Sequence, residues 1–233
     1  MGIHQALLGG YGVVAAPPSG PTWTMLTPDS GIGGGSVSVP NCQPGDLIWY
    51  IWAADSGGQN SFAPAGYTQL AYQTDNNPDY YFGEKVITTS GTETVNINNG
   101  VDNAVLMGFR SSTGSIDKEY NGNIVYAERT SLSGMPTVPT SNINNRSYPA
   151  DALAICSGMI DDDNPVDLAA PSPYTFLVAG NVDRGTASSA IMVATHVTTA
   201  SGNTPPGAGN SWAASAQNSD ANTCFVDYIF HGG

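Results

Sequence analysis

The sequence predicts an all-β protein, an antiparallel β-sandwich of jelly-roll-like character, and three observations carry that expectation. Apolar residues alternate with period two or gather in short aromatic and β-branched runs, the pattern of half-buried and fully buried strands. Turn formers, 28 Gly and 16 Pro among 233 residues, punctuate these runs. No window holds a 3.6-residue apolar period for more than two turns, so helices are not expected.

The elements follow in order. Residues 1–20 form an N-terminal arm, apolar and Gly-rich, free of Lys, Arg, Asp and Glu, and closed by Pro17, Pro18 and Pro21. A segment of this kind is not a stable helix alone. Its Ile3, His4, Leu7, Leu8, Tyr11, Val13 and Val14 are expected either to pack on the chain's own body or to anchor it to a neighbouring subunit. From Trp23 onward the chain reads as strands. Ser36–Val39 alternates strictly, and Asp46–Ala53 is a continuous apolar run. Further strands are expected at Tyr67–Tyr72, Tyr80–Thr88, Thr92–Ile97 and Ala104–Arg110. A second series is expected at Ile124–Ala127, Ala152–Ile160, Tyr174–Ala179, Ser189–Thr198 and Cys224–Phe230.

The two series repeat one another. Asp46-Leu-Ile-Trp-Tyr-Ile-Trp-Ala-Ala-Asp55 and then Ala63-Pro-Ala-Gly-Tyr-Thr68 correspond to Asp151-Ala-Leu-Ala-Ile-Cys-Ser-Gly-Met-Ile-Asp161 and then Ala170-Pro-Ser-Pro-Tyr-Thr175. Val86–Thr92 likewise corresponds to Val197–Asn203. Self-similarity of this kind marks duplicated units. The body, residues 21–233, is therefore expected as one sandwich of two pseudo-repeats, about 21–112 and 113–233. In each turn the Pro presets φ, and Gly66 can take positive φ. Pro173 at the second copy's equivalent of Gly66 leaves that turn's geometry open.

Composition narrows the function. Charged residues make up 11% of the chain, under half the usual share of roughly 25%. The surface must therefore be solubilised by amides and hydroxyls, which suits side-by-side packing or sugar binding. A net charge of −13, with the six basic residues scattered singly, disfavours nucleic acid and anionic membranes, because phosphate binding needs clustered cations. No apolar run approaches the ~20 residues that span a bilayer. The N-terminus lacks the basic start of a signal peptide, so a soluble, unprocessed protein is expected. Cys42, Cys156 and Cys224 are too few and too dispersed for a disulfide framework or zinc site, and they read as buried reduced thiols.

The search for chemistry yields no enzyme and no cofactor. His4, His196 and His231 sit in no nucleophile–base pattern, and His196, in the place of Lys85 in the first copy, reads as an exposed strand position. Glu84, Glu93, Glu119 and Glu128 cannot be paired across a cleft from sequence, as a glycosidase requires. Gly31–Gly35 lacks the Lys of a phosphate loop and reads as a turn. Asp161, Asp163 and Asp167 are oxygen donors of the kind Ca²⁺ takes, though without EF-hand spacing, so no metal is assigned and calcium is a secondary candidate; the Asp75–Asp79 loop is weaker still. Tyr80, Tyr81 and Trp212 are candidate glycan-stacking rings, set against ordinary places in the core.

The opening Met1-Gly-Ile-His-Gln-Ala-Leu-Leu-Gly-Gly-Tyr-Gly12 resembles the start of virion proteins of tailed bacteriophages, in which a short His-Gln-Ala-Leu-Leu arm precedes a β-sandwich. Gly45-Asp-Leu-Ile, Ala63-Pro-Ala-Gly-Tyr-Thr68, Lys85-Val and the late Asn-rich segment are similar to β-sandwich modules of phage tail and capsid appendage proteins. Together these stretches cover most of the chain. The resemblance implies a virion component made in the host bacterial cytoplasm, docked by its arm on other capsid or tail proteins, with no catalytic residues. Symmetric packing, as a trimer or higher homo-oligomer, is a further expectation. The alternative is a carbohydrate-binding adhesin for a host surface glycan, and a polysaccharide-degrading enzyme is a minor third reading.

Overall fold

The computed structural model describes residues 22–54, 63–73, 79–114, 116–117, 125–130, 135–140, 148–161, 168–180, 189–214 and 222–231. The first half contributes β1 (Trp23–Met25), β2 (Asp29–Gly31), β3 (Ser36–Cys42), β4 (Leu47–Ala54), β5 (Thr68–Gln73), β6 (Asp79–Val86), β7 (Gly91–Asn96) and β8 (Asn103–Ser111). The second contributes β9 (Ile116–Asp117), β10 (Val125–Thr130), β11 (Leu153–Asp161), β12 (Thr175–Gly180), β13 (Ser189–Val197) and β14 (Asn222–His231). The protein is all-β and sandwich-like. The short β2 and β9 were not expected; two or three residues carry too little pattern to be read as strands.

Each large sheet is drawn from one half of the chain. The strand orders are β1-β8-β4-β6-β5, with β2 also on β8, and β10-β14-β11-β13-β12, with β9 also on β14. All these pairings are antiparallel. The registers match as well as the orders. Leu47 faces Val86 and Phe109, and Leu153 faces Val197 and Ile229. A β-bulge lies between Gln69 and Ala71 in β5, and another between Phe176 and Val178 in β12. Both displaced leucines, Leu70 and Leu177, pack on the central core. Before β4 and β11 the same bonds recur: Gly45 N and Asp151 N donate to the carbonyls of Ile87 and Thr198, and Ile87 N and Thr198 N donate back to Asp46 and Ala152. Gly45 (φ 93°) and Asp151 (φ 63°) share a left-handed backbone there, a conformation Gly adopts freely and Asp tolerates better than most residues.

The expected Pro-x-x-Tyr turns also close alike, with Tyr67 N on Pro64 O at 3.1 Å and Tyr174 N on Pro171 O at 2.8 Å. Gly66 takes φ 83° in the first copy, whereas the Ser172–Pro173 bond is cis in the second. The two geometries are a type II turn and its cis-proline counterpart, which deliver Tyr to the same place.

Alternation explains the layers. On β4, Leu47, Trp49, Ile51 and Ala53 enter the central core, while Ile48, Tyr50, Trp52 and Ala54 enter a second cluster behind the sheet. The central core joins the two sheets: Trp49 meets Phe82 and Phe109 edge to face at 4.6 and 5.4 Å, and Tyr80 crosses to Phe225 at 5.0 Å. Behind the first sheet lies the β3–β7 ribbon, whose Val37, Val39 and Val95 seal the second cluster. Behind the second sheet lies a layer of loops tied by single bridges, Thr137 to Ser211, Tyr148 to Gly202 and Ala169 to Ala213. It buries Val138, Tyr148 and Trp212 against Ala154, Cys156, Met192, Val226 and Tyr228.

One substitution between the copies has a visible replacement. Trp52 pairs with Tyr81 in the first sheet, and the equivalent pair in the second is Gly158 with Met192. Trp212 fills the vacated space from the loop layer: a Cβ on Gly158 would lie 2.8 Å from its Nε1. Trp212 is 2% exposed. Trp212→Ala is expected to cost about 3–5 kcal/mol, the range for truncating a large buried aromatic, with Gly158→Ala also destabilising through the clash. Urea unfolding of the two variants measures both effects.

Candidate functional site

The densest grouping of charge among the described residues lies where β4 begins and β6 and β8 finish. Asp46 ends a tight turn, its own N bonded to Gln43 O at 3.0 Å and its Oδ2 accepting from Gln43 N at 2.7 Å. From β8, Arg110 grips the same carboxylate with both prongs, Nε to Oδ1 at 2.8 Å and Nη2 to Oδ2 at 2.7 Å. Nη2 also donates to Asn41 O at 2.9 Å, and Asn41 carries a left-handed φ of 59°. The planar fork of guanidinium suits two-point contact with a carboxylate. The bond to Asp46 drives the Arg110 pKa upward, against some desolvation.

A second ion pair fastens the ribbon. Lys85 on β6 reaches Glu93 on β7 with Nζ at 2.8 and 2.9 Å from its two oxygens, and Tyr67 donates its phenol to the same Glu93 at 3.2 Å. Lys85 Nζ also stands 5.7 Å from the centre of the Tyr67 ring, within cation–π range. Burial first, then the Glu93 carboxylate, drive the Tyr67 pKa upward. Burial likewise raises the Cys42 thiol, which donates to Val39 O at 3.2 Å. A phenol and a thiol held neutral in this way are poor nucleophiles, and both cations are already matched by carboxylates. The arrangement is a strut that pins the ribbon and the Gln43–Asp46 turn to the first sheet.

The residues singled out from sequence fall elsewhere. The arm residues Ile3, His4, Leu7, Leu8, Tyr11, Val13 and Val14 lie outside the described residues. So do Asp163 and Asp167, while Asp161 ends β11. Among the described residues no three His, Cys, Asp or Glu side chains come together as metal ligands. The glycan-stacking reading of Tyr80, Tyr81 and Trp212 is corrected: they are 5%, 0% and 2% exposed. Tyr80 packs on Phe225, Tyr81 is stacked on Trp52 at 6.2 Å, and Trp212 meets Phe176 edge to face at 6.3 Å. Their faces are spent on protein, and burial pushes the Tyr81 pKa up to about 12. His196 also departs from expectation. It is half-buried, its ring 6.0 Å from Tyr174, in the place of the Lys85–Tyr67 contact of the first copy but with an imidazole where that copy has an ammonium.

Cys156 and Cys224, on adjacent strands, face each other with sulfurs 3.6 Å apart, and both are free and buried. Burial, and then the Cys224 thiol, hold the Cys156 pKa well above the ordinary thiol value. No motif or period in the sequence joins Asp46 to Arg110, or Glu93 to Lys85 and Tyr67. The strand registers place Ala152 and Phe230 of the second copy where the first has Asp46 and Arg110, so the charges disappear as a pair, a signal that aligning Asp46 with Asp151 conceals.

Comparison with known proteins returns no match: no family model, curated protein or solved structure aligns with the chain.

Two outcomes are expected. Asp46→Ala or Arg110→Phe alone strips one partner from the fork, whose guanidinium is partly open to solvent, at a cost of about 1–2 kcal/mol. The double variant Asp46→Ala with Arg110→Phe, borrowing the second copy's residues, loses less than the sum of the two single losses; a double-mutant cycle by urea unfolding measures the difference. The second outcome concerns pH. Desolvation lowers the His196 pKa, so the folded state binds fewer protons, and its stability is full above the unfolded value and falls as pH drops toward the folded one. Between about pH 7.5 and pH 5, wild type should therefore lose more Tm than His196→Asn, as read by calorimetry.

Proposed function

We propose that this protein is a structural component of a bacteriophage virion, made in the bacterial cytoplasm and joined to capsid or tail proteins through its N-terminal arm, in several copies packed by symmetry. The observation that carries the reading is the division of the chain between a self-covered body and an uncharged arm. Each large sheet has its far face covered by the chain's own ribbon or loop layer, and the main charged groups of the first half are spent on internal struts. The arm, residues 1–20, carries no Lys, Arg, Asp or Glu and is rich in large apolar side chains. Apolar side chains gain most by being taken out of water against a partner. Free buried thiols at Cys42, Cys156 and Cys224 support assembly in a reducing compartment. The resemblance of the arm and of the Pro-x-Gly-Tyr-Thr turn to phage virion proteins supports the class of assembly.

Deletion of residues 2–18 is expected to leave a body with an unchanged β-type circular dichroism spectrum that no longer enters particles. Particle purification followed by immunoblotting reads incorporation, and normal incorporation of the truncated chain would sink the reading. Cryo-EM of the same particles assigns the wild-type protein to shell or tail.

A further inference from the structure

We infer that Cys156 and Cys224 form an oxidative cross-linking site, two thiols that hydrogen peroxide converts into a disulfide stapling β11 to β14 when the surroundings turn oxidising. The fold assembles this pair from residues 68 apart in sequence. β11 and β14 are neighbours at the centre of the second sheet. Their register sets Cys156 opposite Val226 and Gly158 opposite Cys224, so the cysteines stand diagonally across the two strands. Both belong to the cluster behind the second sheet, under the loop layer. A cross-strand diagonal is ordinarily wide, yet here the sulfurs are 3.6 Å apart. A bond needs them at about 2.05 Å, a closure that small turns of the two side chains about Cα–Cβ can share. Cys42 lies in the cluster behind the first sheet and donates to Val39 O.

The two copies single out the same pair. The places of Cys156 and Cys224 are held in the first sheet by Tyr50 and Ala104, on the same diagonal of β4 and β8. Both thiols therefore appear together, and in the half that lacks the Asp46–Arg110 fork. The staple gives the second sheet a covalent tie where the first has an ionic one.

One molecule of hydrogen peroxide balances the step. A thiolate of the pair attacks a peroxide oxygen, the O–O bond breaks, and the sulfur is oxidised to a sulfenic acid as hydroxide leaves with the first thiol's proton as water. The second sulfur then attacks the first. The S–S bond forms, the S–O bond breaks, and the oxygen leaves as water with the second thiol's proton. Burial holds the Cys156 thiol neutral, and the thiolate is the nucleophile. The reaction therefore waits on local opening of the loop layer, which single bridges and Trp212 hold over the pair. Such a site suits one lasting cross-link rather than rapid sensing.

The cross-link goes beyond the virion reading and is tested on the purified chain, so either can fail alone. Folded, fully reduced protein is treated with hydrogen peroxide at neutral pH, denatured in N-ethylmaleimide to cap the remaining thiols, and mapped by mass spectrometry without reduction. The product is expected to be a monomer lacking two hydrogens, with Cys156 joined to Cys224 and Cys42 capped, and dithiothreitol should restore both thiols. Of the three pairings that three cysteines allow, this one is expected in at least about tenfold excess over either pairing with Cys42, because contact and access favour it. Cys224→Ala should form no intramolecular bond under the same treatment. Persistence of both thiols, oxidation to sulfinic acid without a disulfide, preferred pairing with Cys42, or cross-linking between copies would each overturn the inference.

Discussion

Burial of both faces of the central strands is the constraint on which the rest of the structure depends. Strand β4, Leu-Ile-Trp-Tyr-Ile-Trp-Ala-Ala, is buried at every position, and antiparallel strands of this composition cannot leave one face in water as ordinary hairpin sheets do. Pairing the two sheets through Trp49, Phe82, Phe109 and Phe225 satisfies only half of that demand. Each sheet then needs a second cover. The first half supplies it as a regular two-stranded ribbon, and the second as a layer of loops whose largest element is one indole.

The two solutions differ in how they are fastened. The ribbon is held from its rim by ions, Lys85 to Glu93 and Arg110 to Asp46, both partly open to solvent on the basic side. The loop layer is held by aromatic contact instead: Tyr148 lies flat on Tyr228 at 4.5 Å and anchors its hydroxyl on Thr204 O. The free edges of the two sheets show a shared device. At one side the edge is cut into short strands, β1 and β2, and at the other β5 and β12 carry the matched bulges, both recognised ways of denying a foreign strand a long flat template.

Much of this architecture was legible in the residues, for physical reasons that differ by element. Continuous apolar runs such as Asp46–Ala53 and the alternation of Ser36–Val39 declare burial on two faces or one, so strands of that length are readable. The duplicated Pro-x-x-Tyr turns are readable because proline and glycine restrict backbone angles locally. The covering partners were not readable, because contact between Trp212 and Gly158 joins positions 54 residues apart and obeys no period. Ring exposure failed for the same reason: Tyr81, close after the Asp75–Asp79 loop, and Trp212, in an Asn- and Ser-rich stretch, resemble surface aromatics until the layer above them is placed. The Asp46–Arg110 fork was hidden by a separation of 64 residues and became visible only by comparing the two copies.

The replacement of Trp52 by Gly158 and Trp212 has a consequence for how such a molecule can change. In an assembly of two identical half-sized subunits, every substitution appears in both sheets at once, so a lost tryptophan must be tolerated twice and its substitute must suit both surroundings. Joining the halves in one polypeptide removes that coupling. One sheet can keep its indole on the strand while the other borrows one from a distant loop, and the two outer surfaces become independent fields for variation around a shared interior.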